Sequence, residues 1–198
     1  AASDVYKRQF IICFPVCLLA YPLLKIWLGV VPDYTVIFLQ IIVIQSLFQV
    51  FDTSFYTALY AKGRLKENAL ISPTLGLIRF PIIYFLFKAG YSPVALSWAS
   101  LLTYAVLGLI VKPILVVKIA NYYWRDVWNV FKPCLLVTVA ALPVPVFLYH
   151  IIGVDSIPHS IFIGFITVII IILSIYWIGI DMLTKQKVWL YVKRRFRR

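Results

Sequence analysis

Four polar residues with helical spacing interrupt one of the apolar stretches of this 198-residue chain. They are Gln45, Gln49, Asp52 and Tyr56, separated by four, three and four positions. Residues at these spacings share one face of an α-helix, and a helix in lipid must turn such a face toward other helices or a water-filled cavity. The sequence therefore predicts a polar face inside a membrane.

A single arginine, Arg79, lies inside the next apolar stretch. Counted at about 1.5 Å per residue, Asp52 lies about 15 Å and Arg79 about 18 Å along its helix from the basic turn at 62–66. The two charges should therefore reach similar depth. Either charge costs roughly 2.5 to 3.5 kcal/mol at the centre of a membrane helix, so each needs a partner or water.

Two interpretations of these charges follow. In the first, Asp52 and Arg79 form a fixed ion pair that only satisfies both groups. In the second, Arg79 faces a hydrated cavity and binds an anionic group such as phosphate, while Asp52 and the glutamines hold sugar hydroxyls or tune the arginine. Two glutamines on the same face favour the second interpretation, because a simple ion pair does not require them.

The elements that must position these residues are six apolar stretches. They run Phe10–Leu28, Thr35–Ala61, Asn68–Phe87, Pro93–Val117, Val127–Ile152 and Ser160–Ile180. Each is long enough to cross a hydrocarbon core of roughly 30 Å as a helix. A chain that is 63% hydrophobic and 13% charged has no polar surface with which to dissolve as a globule. The predicted fold class is an all-α integral membrane bundle of six transmembrane helices, with a membrane domain over residues 10–182.

The distribution of the 19 basic residues predicts the orientation of the chain. Apart from Lys25, Lys88 and Arg79, they lie at the N-terminus, at alternate junctions and in the C-terminal tail. Lys112 is counted with the fourth junction. Positive residues mark the cytoplasmic side, so both termini are predicted to be cytoplasmic. The charges are split among loops that flank membrane helices, so no nucleic-acid partner is predicted.

Three short connections, at 29–34, 88–92 and 153–158, join helices on the opposite side. Hairpins this tight predict that consecutive helices are antiparallel neighbours.

Residues that support catalysis or metal binding are scarce. Cys13, Cys17 and Cys134 lack the spacing of metal ligands and are interpreted as packing residues. His150 and His159 stand near a predicted connection with no nucleophile marked beside them. No metal, no cofactor and no enzymatic activity are predicted.

The two ends of the chain are interpreted separately. Residues 1–9 lack an initiator methionine and resemble translated adapter sequence, so they are interpreted as a non-native leader. Residues 183–198 are predicted to be a basic amphipathic tail on the anionic headgroups of the cytoplasmic leaflet, or a disordered tail that only fixes topology. The residues predicted to contact the membrane surface are Lys185, Lys187, Trp189, Lys193, Arg194, Arg195, Arg197 and Arg198.

Several short motifs resemble the C-terminal half of O-antigen-type polysaccharide flippases, in the multidrug/oligosaccharidyl-lipid/polysaccharide exporter superfamily. The motifs are Pro22–Pro32 (PLLKIWLGVVP), Ala61–Lys66 (AKGRLK), Phe80–Tyr84 (FPIIY), Lys88–Gly90 (KAG) and Ser92–Pro93. Each motif is loose, and the resemblance depends on their order and spacing from Phe10 to the end of the chain.

The resemblance implies one part of a 12–14-helix exporter with two lobes around a central cavity. Such proteins move undecaprenyl-diphosphate-linked oligosaccharide across the bacterial inner membrane by alternating access. It implies that Arg79 meets the diphosphate or an anionic sugar, that a missing N-terminal lobe of the same protein is a partner, and that membrane lipids surround both.

Two other functions are compatible with the residues alone. One is a membrane-embedded enzyme of polysaccharide assembly, such as a polymerase or acyltransferase, although the short outer connections count against it. The other is a structural membrane subunit, in which Gln45, Asp52 and Arg79 would all face helix neighbours.

Overall fold

The computed structural model describes residues 2–64, 66–153 and 156–179 of the chain. Within these ranges all regular structure is helical, as predicted. The α-helices are α1 (Ala2–Leu18), α2 (Ala20–Leu28), α3 (Thr35–Ala61), α4 (Lys66–Lys88), α5 (Val94–Val106), α6 (Lys112–Ile119), α7 (Trp124–Ala141), α8 (Pro143–Ile152) and α9 (Ile157–Ser174). Two π-helical turns, π1 (Leu107–Val111) and π2 (Ile175–Gly179), continue α5 and α9.

Five helical segments among the described residues are long and apolar enough to cross a membrane. They are α3, α4, α5 with π1 and α6, α7 with α8, and α9 with π2. Helices α1 and α2 make a sixth crossing if the bent pair spans as one unit. The chain is therefore a multi-pass helical membrane protein, while the predicted tail at 183–198 lies outside the described residues.

A sharp bend interrupts the helix predicted over Phe10–Leu28. The axes of α1 and α2 differ by 73°, and α1 begins at Ala2, ahead of the predicted start at Phe10. Pro22 explains the break, because its ring excludes the carbonyl of Leu18 four residues earlier and it has no N–H to donate. Pro143 and Pro145 act in the same way at the junction of α7 and α8.

The core lies where α1, α3, α6, α7 and α9 meet. Aromatic rings fill much of it, and the ring centroids of Phe51 and Phe131 are 4.9 Å apart. Val137 and Ile171 have no exposed surface. The facing sides of these five helices are thus buried against each other, while other apolar side chains, such as Ile12, Leu135 and Phe165, are exposed on the outside of the bundle.

The helices joined by the three short connections pack against each other, so they are neighbours, as predicted. At the connection between α4 and α5, Gly90 has a φ of 84°, and this lets Tyr91 N donate to Leu86 O at 3.1 Å. We call the end of the bundle that carries this turn the Gly90 end. The opposite end, where Lys62 Nζ lies 5.6 Å from the Tyr122 ring centroid, is called the Lys62 end.

Helix α4 lies at the edge of the bundle. It packs along α5 and hardly touches α3, although only a short turn separates α3 from α4 in sequence. Asn68 and Ile83 are its buried residues. Helices α3 and α4, which carry Asp52 and Arg79, therefore separate from each other after the turn that joins them.

Candidate functional site

Asp52 forms an ion pair inside the bundle, but its partner is Lys112. Asp52 Oδ1 lies 3.1 Å from Lys112 Nζ, and the Lys112 side chain is only 2% exposed. The first of the two interpretations, a fixed Asp52–Arg79 ion pair, does not match the structure, because α4 packs on α5 and Arg79 donates to Ser100 of α5. Lys112, counted in the sequence as a junction charge, is instead an interior residue.

Side chains from two other helices converge on the Lys112 ammonium group. Asp52 belongs to α3, and Asn68 of α4 accepts a hydrogen bond from Lys112 through its Oδ1. The ring of Tyr56, also on α3, has its centroid 5.4 Å from Lys112 Nζ. A buried ammonium needs several such partners, because an unpaired charge in a protein interior is strongly destabilising. We call Asp52, Tyr56, Asn68 and Lys112 the Lys112 cluster.

The π-helical turn π1 sets the direction of Lys112. Lys112 N donates to Leu107 O, five residues earlier, so the helix carries one extra residue per turn at this point. Gly108 makes the close approach possible, because a Cβ there would lie 2.7 Å from Phe48 O of α3. π-turns inside α-helices occur frequently at functional sites.

Arg79 has no carboxylate partner among the described residues. Its Nη1 donates to Ser100 Oγ of α5 at 3.1 Å, and its guanidinium carbon lies 5.8 Å from the Phe80 ring centroid. The Arg79 Nε is buried and has no hydrogen-bond partner in the described part of the chain. A guanidinium has five N–H donors, so most of its capacity to bind an anion is unused.

The polar face predicted for α3 divides into two. Asp52 and Tyr56 point toward Lys112, whereas Gln49 lines a separate groove of about 360 Å³ between α1 and α3. The polar residues that line this α1–α3 groove are Gln9, Ser46, Gln49, Thr53, Ser54 and Thr57. Gln45 is partly buried and makes no side-chain hydrogen bond to the described residues.

Sequence reasoning missed three of the residues that complete these sites. Asn68 and Ser100 hold Lys112 and Arg79, and Lys112 was assigned to the wrong environment. A signal was present, since Gly108 lies inside the π-turn and Pro113 follows it, both within an apolar run. Among the described residues, no group of three His, Cys, Asp or Glu side chains is placed to hold a metal ion.

No protein-family model, curated protein or solved structure matches this chain. The fold and the site define a multi-pass helical membrane protein. Its interior holds a lysine paired with an aspartate, and an arginine that has no counter-ion among the residues that the structure describes.

Proposed function

We propose that this chain takes part in the export of undecaprenyl-diphosphate-linked oligosaccharide across the bacterial inner membrane, as one part of a two-lobe flippase. Transport occurs by alternating access, and no covalent bond is made or broken. Both termini lie in the cytoplasm, and the opposing lobe supplies the other wall of the cavity.

The observation that carries this proposal is the state of Arg79. Its expected counter-ion, Asp52, is taken by Lys112, and no other carboxylate pairs with Arg79 in the part of the chain that the structure describes. An intramembrane cation without a counter-ion is costly and is usually retained for function. A diphosphate supplies two negative groups that match the planar donor fork of a guanidinium.

The α1–α3 groove supports the same function. Its hydroxyl and amide side chains lie on helices that are otherwise apolar, and Thr53 and Thr57 are exposed. Such a surface is unfavourable against lipid tails and favourable against water or sugar hydroxyls. Gln49, the predicted pathway residue in this groove, thus contributes to the glycan side of the pathway, and Gln45 to the approach to it.

The Lys112 cluster favours the structural-subunit alternative more than any other feature does. Two of the residues which that alternative requires to face helix neighbours do so, since Asp52 pairs with Lys112 and Arg79 donates to Ser100 of α5. Arg79 separates the two functions, because a purely structural subunit has no need of a guanidinium without a counter-ion.

The test replaces Arg79 in the full-length gene product, in a host whose own exporter of lipid-linked oligosaccharide is deleted. We expect Arg79→Ala to reduce surface glycan by about 100-fold, as for loss of a charged hydrogen-bonded contact worth about 3 kcal/mol. Lys88→Ala, which removes an exposed charge at the far end of the same helix, is the matched control and should leave export unchanged.

Protein abundance in the membrane is measured for both variants. Normal export by a well-expressed Arg79→Ala protein would remove Arg79 from the substrate pathway and leave the structural-subunit alternative. Loss of export in Lys88→Ala as well would mean that net charge, and not the interior arginine, matters.

A further inference from the structure

Helix α4 is attached to the bundle at two separate places. Near the Lys62 end, Asn68 accepts a hydrogen bond from Lys112, and Ile71 packs against the core. Farther along the helix, Arg79 donates to Ser100 of α5, and Ile83 is buried. Between these places the side chains at 73, 74, 77 and 78 are exposed.

The first attachment depends on a charge held by another helix. Asp52 and Tyr56 of α3 fix the Lys112 ammonium, and this ammonium then reaches Asn68 of α4. Since α4 hardly touches α3 directly, this connection through Lys112 is the principal polar link between the two helices in the described residues. A hydrogen bond to a buried charged donor is stronger than one between neutral groups.

We propose that Lys112 is a positioning residue that holds the Lys62 half of α4 against the bundle through Asn68. Without this contact, that half of α4 moves outward while the Arg79–Ser100 contact keeps the other half in place. The anchoring is independent of transport, but its consequence for transport rests on the proposed function. Release of Asn68 therefore changes the position of the Lys62 half of α4 relative to Arg79, which stays on Ser100.

The experiment measures how fast a maleimide modifies a cysteine on each half of α4. The chain is placed in lipid nanodiscs, with Cys13, Cys17 and Cys134 replaced by alanine. Ile71→Cys reports on the Lys62 half and Ile83→Cys on the Gly90 half, and both native side chains are buried or partly buried. N-Ethylmaleimide is the probe.

With Asn68→Ala added, we expect labelling at position 71 to become about tenfold faster and labelling at position 83 to stay the same. Ser72→Ala is the matched control, because the Ser72 hydroxyl donates to the same Asn68 oxygen at 3.0 Å but belongs to α4 itself. This control should leave both rates unchanged. Lys112→Met removes the ammonium that donates to Asn68, so it should accelerate labelling at position 71 as Asn68→Ala does.

Each other outcome overturns the proposal. Unchanged labelling at position 71 in Asn68→Ala means that packing of α4 does not depend on Lys112. Equal acceleration at both positions means that the whole helix is released or that the bundle unfolds. The assay contains no cargo, so a failure here is distinct from normal glycan export in Arg79→Ala, which would overturn the proposed function alone.

Discussion

At the residue scale, Lys112 and Asp52 keep their charges inside the bundle because each compensates the other over 3.1 Å. The Asp52 side chain is 24% exposed and the Lys112 side chain 2%, so the lysine bears the larger desolvation cost. Asn68 and Tyr56 reduce that cost by offering an amide oxygen and a ring face. Loss of either charged side chain alone should therefore destabilise the bundle more than loss of both.

We expect Asp52→Asn and Lys112→Met each to lower the free energy of unfolding by about 3–5 kcal/mol, because each leaves one buried charge unpaired. The double variant should be more stable than either single variant, since no unpaired charge remains. Unfolding in lipid bicelles measures all three. Asp33→Asn, on an exposed connection, is the control and should change stability by less than about 0.5 kcal/mol. A double variant whose loss equals the sum of the single losses would contradict the pairing.

At the scale of elements, the helices and the polar face of α3 were accessible from the sequence, whereas the partners of the charges were not. Apolar length and the spacing of Gln45, Gln49, Asp52 and Tyr56 predict a helix with a polar face. Which group pairs with each charge depends on the direction in which α4 leaves the turn after α3 and on the extra residue in the π-turn π1. Both are set by packing between segments that are distant in sequence. Lys112 shows this limit most clearly. It lies near the end of the predicted membrane helix Pro93–Val117, so the sequence favoured an exposed position for it.

The close approach of π1 to α3 gives a test at this scale. We expect Gly108→Ala to lower the free energy of unfolding by about 1–3 kcal/mol, because its methyl group would lie 2.7 Å from Phe48 O. Gly76→Ala is the matched control, since nothing lies within 4 Å of a Cβ at that helical position. Equal effects of the two substitutions, measured by unfolding in bicelles, would show that helix propensity and not the approach to α3 sets the requirement for glycine.

At the scale of the whole molecule, the bent pair of α1 and α2 determines the topology. The five other segments place the two ends of the described chain on opposite sides unless α1 with α2 crosses the membrane as well. The basic residues predict an even number of crossings and cytoplasmic termini. The 73° bend is the feature that this charge pattern could not reveal.

Cysteine accessibility in intact cells tests the topology. We expect Asp33→Cys to react with a membrane-impermeant maleimide from outside, whereas Asp4→Cys and Arg64→Cys should react only after permeabilisation, because the positive-inside rule places them in the cytoplasm. The native cysteines are replaced beforehand. External labelling of Asp4→Cys with protected Arg64→Cys would mean that α1 and α2 re-enter on one side and that the chain crosses five times.

The order of residues in the Lys112 cluster has a consequence for biogenesis. Synthesis proceeds from the N-terminus, so α3 and α4 leave the ribosome before Lys112 exists. Asp52 therefore enters the bilayer without its counter-ion and needs water or another polar partner until α6 arrives. The Lys112 cluster is completed only when one lysine side chain closes contacts that two earlier helices, α3 and α4, have left open.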